Sequence, residues 1–291
     1  MSVRNGSRLA NAIIHTIVIL MSLTCLFPFV HMLAISFSDQ MPIITMKVTL
    51  WPVGFQTLSY WTILQDPNFF RSFFNTVFIT VAGTAINLIM TIITAYPLIK
   101  RKVKGRTVIM KLIVFTMLFN GGMIPSYLLI KELGLLNSLW ALILPGAIST
   151  FNLIIMRTFF QSIPKELEEA AIIDGCNELQ ILSKIYVPLS LAVIATLGLF
   201  YAVAHWNSYM NALMYLNDVK LYTLQVKLKQ LLIDDQFGQI GGNMEADARN
   251  TVVQESLKAA VVIVSTLPIL VVYPWIQKYF VKGIMIGAIK G

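Results

Sequence analysis

The sequence predicts an all-α polytopic membrane protein with six transmembrane helices, both termini inside, and a helical cytoplasmic connection between spans four and five. Three observations carry that reading. Of 291 residues, 57% are hydrophobic and only 12% charged, against about 45–50% and about 25% in an ordinary soluble domain. Six apolar stretches each approach or exceed the ~20 residues that cross ~30 Å of hydrocarbon. The basic residues cluster on alternate connections between those stretches. With a mean hydropathy of +0.74, this composition excludes an ordinary soluble enzyme and a disordered chain. The net charge of +8 then reads as basic loops against anionic lipid, not as a nucleic-acid surface.

The first stretch, about Leu9–Phe37, holds no Asp, Glu, Lys or Arg and is too long for a signal-peptide core of about 7–15 residues. The second is about Phe73–Ile99. The third is about Val108–Ile130, with Lys111 near an end where it snorkels. Asn120, Gly121, Gly122 and Pro125 interrupt it, which marks either a broken helix on a substrate path or a plain kink. The fourth is about Leu139–Phe160, with Arg157 near its end. The fifth is about Ile185–Leu216 and the sixth about Leu257–Tyr279.

Orientation follows from the Lys and Arg near span ends. Arg4 and Arg8, then Lys100, Arg101, Lys102, Lys104 and Arg106, then Lys278, Lys282 and Lys290 fall on one side by parity. That side is cytoplasmic. The first and third connections are near neutral, as outside loops should be. The fourth connection, 161–184, is inside by parity yet carries Glu166, Glu168, Glu169, Asp174 and Glu178 against Lys165 and Lys184. Its acidity points to a protein partner rather than to lipid. The fifth connection, 217–256, is external and the longest. It contains an amphipathic stretch, Leu221–Ile233, and is either functional or a loose loop.

The fourth connection has the local signals of a helix-turn-helix on the membrane surface. Pro164 fits a helix start, acids fill the first turn, and Gly175 suits a left-handed residue just past the helix end. A second short helix runs over about Glu178–Ile185, and Pro188 opens span five. Ala170 and Ala171 keep one face small, so another protein surface can approach closely.

These residues, Glu169-Ala170-Ala171, Asp174-Gly175, Ile185 and Pro188, resemble the EAA loop of ABC-importer permeases, with spacing EAA-x2-DG-x9-I-x2-P. The tail 279–291 looks like that of maltose-type sugar permeases. The stretch Phe119–Pro125 looks like the polysaccharide and complex-oligosaccharide branch. The resemblance covers nearly the whole chain and departs at Cys176, where alanine is commonplace. It implies a bacterial inner-membrane permease that imports an oligosaccharide by alternating access. The implied partners are a homologous second permease, two ATPase subunits that carry ATP and Mg, and an extracellular solute-binding protein. Glu169, Ala170, Ala171, Asp174, Gly175 and Pro188 would form the ATPase-coupling segment. The division expected is 1–71 for the first helix and external loop, 72–280 for the core, and 281–291 for a cytoplasmic tail.

The residues themselves support part of this. No G-x4-G-K-[ST] phosphate loop occurs in the chain, so ATP hydrolysis belongs to another subunit. No catalytic set or metal-ligand spacing is present, Cys25 and Cys176 have no neighbours of a thiol site, and no cofactor is expected in this chain. Span five carries Tyr201, His205, Trp206, Asn207, Tyr209 and Asn211. Polar groups at membrane depth face a cavity or a partner helix. Asn120, Tyr201, Trp206, Asn207, Tyr209 and Asn211 are therefore the translocation-path candidates, although the resemblance implies that the sister permease makes most sugar contacts. Asn87 and Asn152 read as interhelical glue. Two alternatives remain: an ABC importer of a non-sugar solute, and a stand-alone secondary transporter, whose coupling acids are missing from the spans.

Overall fold

The computed structural model describes residues 3–100, 102–119, 121–230, 255–271 and 274. Every regular element among them is helical. They divide between two units, one drawn from 1–67 and 228–268, the other from 68–227 and 269–291. The expected tail 281–291, and residues 231–254 of the connection expected to be external, lie outside the described residues.

In the first unit, α1 (Val3–Ser36) contains a 27-residue apolar segment, Ala10–Ser36, whose most apolar window has no buried residue. A helix apolar all round suits lipid, where the hydroxyls it carries must be satisfied within it. They are: Thr16, Ser22 and Thr24 donate to the carbonyls of Ala12, Val18 and Leu20 at 2.8–2.9 Å. After α1 come α2 (Gln40–Ile44) and α3 (Leu58–Gln65). The loop between them requires Gly54, which has φ +67° and where a Cβ would lie 2.8 Å from Asp39 Cβ. Buried serines knit this unit: Ser59 Oγ meets Ser256 Oγ at 2.7 Å, Ser256 donates to the Ser36 carbonyl, and Ser36 Oγ meets the Tyr60 hydroxyl. Ser256 sits on the helix 255–271, which falls in the expected sixth stretch.

The second unit is organised by α4 (Pro67–Ala95), which with the turn to Ile99 is the second helix long and apolar enough to span a bilayer. Its buried positions are Phe69, Ser72, Thr76, Ile79, Gly83, Asn87, Thr91 and Ala95. The spacing is helical, but the residues are mostly small or polar. In lipid the interior stripe is where close approach and interhelical hydrogen bonds are made, so it is less apolar than the exposed face.

The third stretch is two helices, α5 (Arg106–Leu118) and α6 (Met123–Glu132). Gly122 stands between them at φ +90°, ψ 175°, a conformation no helix contains. In the fourth stretch only α7 (Thr150–Ser162) is α-helical, after a 3-10 turn at Leu139–Leu142. It is followed by α8 (Lys165–Ile173) and α9 (Glu178–Ile181).

The fifth stretch differs from the expectation that a span starts near Ile185. A π-helical turn, Leu182–Tyr186, leads into α10 (Val187–Leu189), and the chain then bends by 82° at Ser190 into α11 (Leu191–Trp206). Pro188 has no amide to donate to Lys184, and its ring crowds that carbonyl. The π turn accommodates this locally, and residues 185–189 go with the surface segment. After a break at 207–209 follow α12 (Met210–Tyr215) and, after a 3-10 turn at Val219–Leu221, α13 (224–230).

Two cores hold this unit together. One joins Ala95, Tyr96, Leu153, Met156, Phe160, Ala171, Ile181, Leu182, Tyr186 and Leu197 at one end of the helices. The other joins Ile79, Ile130, Ile143, Ala212, Tyr215, Leu216 and Val226 at the other end. The first part of the 217–256 connection is pinned down. Asn75 Nδ2 donates to the Lys220 and Tyr222 carbonyls, and the Leu224 amide donates to Thr76 Oγ1 at 2.8 Å. Asn137, at φ +57°, accepts from the amides of Asn217 and Asp218. Asn is among the few residues that tolerate that conformation.

Candidate functional site

The 161–184 segment is a helix-turn-helix. Glu166 and Glu168 lie in the first turn of α8, where the helix dipole favours them, after Pro164 at the cap. The helix ends in a full Schellman motif: the Cys176 amide donates to the Ala171 carbonyl at 2.9 Å and the Gly175 amide to Ile172 at 3.0 Å. Gly175 has φ +79°, as its position suggested, and open space around its Cα. The backbone conformation, not crowding, demands glycine there. Asn177 and Gln180 form a reciprocal capping box that starts α9.

The two alanines face opposite ways. Ala171 is buried in the first of the two cores, beside Tyr96, Phe160, Ile181 and Tyr186. Ala170 is exposed, as are Glu169, Asp174 and Pro188. The outward small face expected of both alanines therefore belongs to Ala170 alone. The segment also exposes Leu167, Ile172, Ile173 and Leu179, with Ile173 at 85% and Leu179 at 73%. An exposed apolar patch rimmed by polar residues is the composition of an interaction site, with protein or with membrane.

Beneath that surface lies a polar network that sequence reasoning missed. Lys100 Nζ is 2.6 Å from Glu168 Oε1 and 2.8 Å from Glu178 Oε2, and it sits 4.4 Å from the Tyr96 ring centroid. The Tyr186 hydroxyl donates to Glu168 Oε2 at 2.7 Å, and the Tyr96 hydroxyl donates to Glu178 Oε2. Burial alone would lower the Lys100 pKa. Its hydrogen bonds to Glu168 and Glu178 outweigh that and hold the ammonium above the ordinary lysine value. The bond from Lys100, then that from Tyr96, holds Glu178 below the usual carboxylate range. The available signal was the opposition of an acidic 161–184 connection to a basic 100–106 connection on the same side.

A cavity of about 530 Å³, lined by Leu142, Phe151 and Phe200 as well as by polar side chains, opens among α4, α7 and α11. Its lining includes Asn87, Ser149, Asn152, Tyr201, His205 and Asn211, and no Lys, Arg, Asp or Glu among the described residues. Asn87 Nδ2 donates to the Gly146 carbonyl, which turns Oδ1 toward His205 Nε2 at 3.0 Å and makes that nitrogen the protonated one. The Tyr201 hydroxyl accepts from the Ser149 amide at 3.1 Å and meets Thr91 Oγ1 at 2.8 Å.

Of the path candidates, the structure brings Tyr201 and Asn211 to this cavity. Trp206 is buried edge-to-face against Phe73, Asn207 bonds its own helix at the Val203 carbonyl, and Tyr209 packs against the other core. Asn120 lies outside the described residues. Asn87 does bridge helices, as read, and it also lines the cavity. Among the described residues no group of three or more His, Cys, Asp or Glu is placed to hold a metal ion.

Comparison with known proteins agrees with this geometry. The chain is 46% identical to the polygalacturonan/rhamnogalacturonan transport system permease protein YtcP of Bacillus subtilis, over 98% of this chain and 99% of that one. It is 46% identical to protein LplC of the same organism, over 91% and 90%. A solved bacterial ABC transporter involved in import of the acidic polysaccharide alginate contains a chain that superposes with a TM-score of 0.86 at 36% identity, covering 94% of this chain and 98% of that one. Residues 87–286, which contain the helix-turn-helix and most of the cavity lining, match the binding-protein-dependent transport system inner membrane component family, and the chain belongs to that family.

Proposed function

We propose that this chain is one of two permease subunits of an ABC importer that moves an oligosaccharide through the bacterial inner membrane by alternating access. Its partners are a homologous permease, two ATPase subunits that bind ATP and Mg, and an external solute-binding protein. The chain crosses the membrane six times with both termini inside. Its parts are a first helix and external loop (1–71), a transport core (72–280) and a cytoplasmic tail (281–291). The chain itself hydrolyses nothing.

The exposed face of α8 and its turn, with Glu169, Ala170, Asp174, Gly175 and Ile173, docks into the ATPase subunit. Ala171 shapes that face from within, and Pro188 sets the turn that follows it. Tyr201 and Asn211, with Asn87 and Asn152, line the path. The observation that carries the reading is the pairing of an outward acidic and apolar surface on α8 with a cavity that sets amides and hydroxyls among apolar and aromatic side chains and holds no Lys, Arg, Asp or Glu among the described residues. Amides and hydroxyls hydrogen-bond sugar hydroxyls without stranding a buried charge.

The relatives' substrates make oligosaccharides containing uronic acids the first to try. The complex is co-purified, and its ATPase rate is measured with binding protein loaded in turn with oligogalacturonides, rhamnogalacturonan fragments, alginate fragments, maltodextrins and a non-sugar panel. Stimulation by one oligosaccharide class supports the reading. Stimulation by non-sugar solutes alone rejects it.

A further inference from the structure

We infer that Lys100 is a positioning residue that makes α8, the Gly175 turn and α9 move as one body with the inner end of α4. This rests on the proposed docking role of α8 and goes beyond it, because it names how displacement of the docking surface reaches the cavity.

The polar partners come from two places only. Tyr96 and Lys100 follow directly on α4, while Glu168, Glu178 and Tyr186 belong to the surface segment. Glu168 lies on α8 and Glu178 on α9, so one ammonium holds both arms of the helix-turn-helix. The side chain of Lys100 is 15% exposed and that of Glu168 21%, while Glu178, at 67%, holds the α9 arm from the rim. Lys100 and Glu168, this far from water, cannot exchange each other for solvent cheaply, and the joint resists shear chiefly at α8. Tyr96 packs edge-to-face on Tyr186, 5.1 Å between centroids, which closes the joint with apolar contact. At the other end of the lever, Asn87 lines the cavity two turns before the end of α4, and Thr91 bonds the cavity residue Tyr201. A push on α8 is thus carried by Lys100 to the helix that bears part of the cavity wall.

The test uses the assembled complex with Cys25 and Cys176 replaced by serine and a reporter thiol from Ser208→Cys in the cavity lining. The thiol is labelled with a soluble methanethiosulfonate reagent, with and without ATP plus vanadate, so no transported solute is needed. Three variants are compared: Lys100→Arg, Lys100→Met, and Lys100→Met with Glu168→Gln and Glu178→Gln, which removes the charges together. The triple variant should keep its ATPase subunits, while the ATP-driven change in labelling rate falls about tenfold, within the range usual for coupling between sites. Lys100→Arg should keep most of the change. A triple variant with the full ATP-driven change, or one that loses its ATPase subunits, overturns the inference. Ala170→Trp separates the premise from the inference. If it retains ATPase subunits and the full change, α8 is not the docking surface. If it loses them while the triple variant responds fully, α8 docks and Lys100 transmits nothing.

Discussion

Gly83 lies directly beneath His205: a Cβ added at Gly83 would come 2.5 Å from His205 Nε2 and within 2.9 Å of two further ring atoms. That close approach places the imidazole against Asn87 and shapes one side of the cavity.

Gly83→Ala should therefore displace His205 and weaken the unit by about 1–3 kcal/mol, the usual cost of overpacking. Because the clash has one cause, the double variant Gly83→Ala with His205→Ala should be less destabilised than the sum of the singles. Thermal unfolding of the purified complex measures both. Strict additivity would show that the ring is free to move aside.

The two neighbouring alanines should fail differently. Ala170→Trp leaves permease yield intact and loses co-purifying ATPase. Ala171→Trp enters the core around Tyr96 and Tyr186 and lowers permease yield itself, again at about 1–3 kcal/mol. Gly175→Val forces a β-branched residue into φ +79° at a cost of roughly 1–2 kcal/mol. Glu169→Gln removes at most an exposed pair, worth about 0–1 kcal/mol. Immunoblots of membranes and of purified complex separate yield from docking.

Acid should loosen the joint between α4 and the surface pair. Glu178 is held below its ordinary pKa, chiefly by Lys100. Its contribution is present above the unfolded carboxylate pKa and is lost as pH falls through the folded value. Lys100 is shifted upward, so its contribution is full below the ordinary lysine pKa and is lost only as pH rises through the raised one. Between these limits, stability attributable to the pair should be flat with pH. The stability difference between wild type and Glu178→Gln should shrink as pH drops toward about 4. A difference that grows on acidification would reverse the assignment.

Topology is checked by labelling. In a background without Cys25 and Cys176, Lys102→Cys should react with an impermeant thiol reagent only after the cells are opened. Val219→Cys, on the pinned and exposed start of the 217–256 connection, should react on intact cells. Equal labelling at both positions rules out six spans with both ends inside.

What the sequence determined by itself is what depends on near neighbours and on solvent. Apolar runs announce spans because unpaired backbone groups are costly in lipid. Pro164, the acids of the first turn and Gly175 announce α8 because caps and left-handed residues are matters of local sterics, and all of them stand where the spacing put them. What only the tertiary structure decided involves pairs distant in the chain. Lys100 meets Glu168 across 68 residues, and His205 meets Asn87 across 118. No periodicity encodes such pairings. Which of Ala170 and Ala171 faces out depends on how α8 rotates onto Tyr96 and Tyr186, and identical side chains carry no signal of that. The bend at Ser190 was hidden for a related reason. An apolar run reads as one span until packing at both ends fixes where it turns, and Pro188 marks the region without setting the angle.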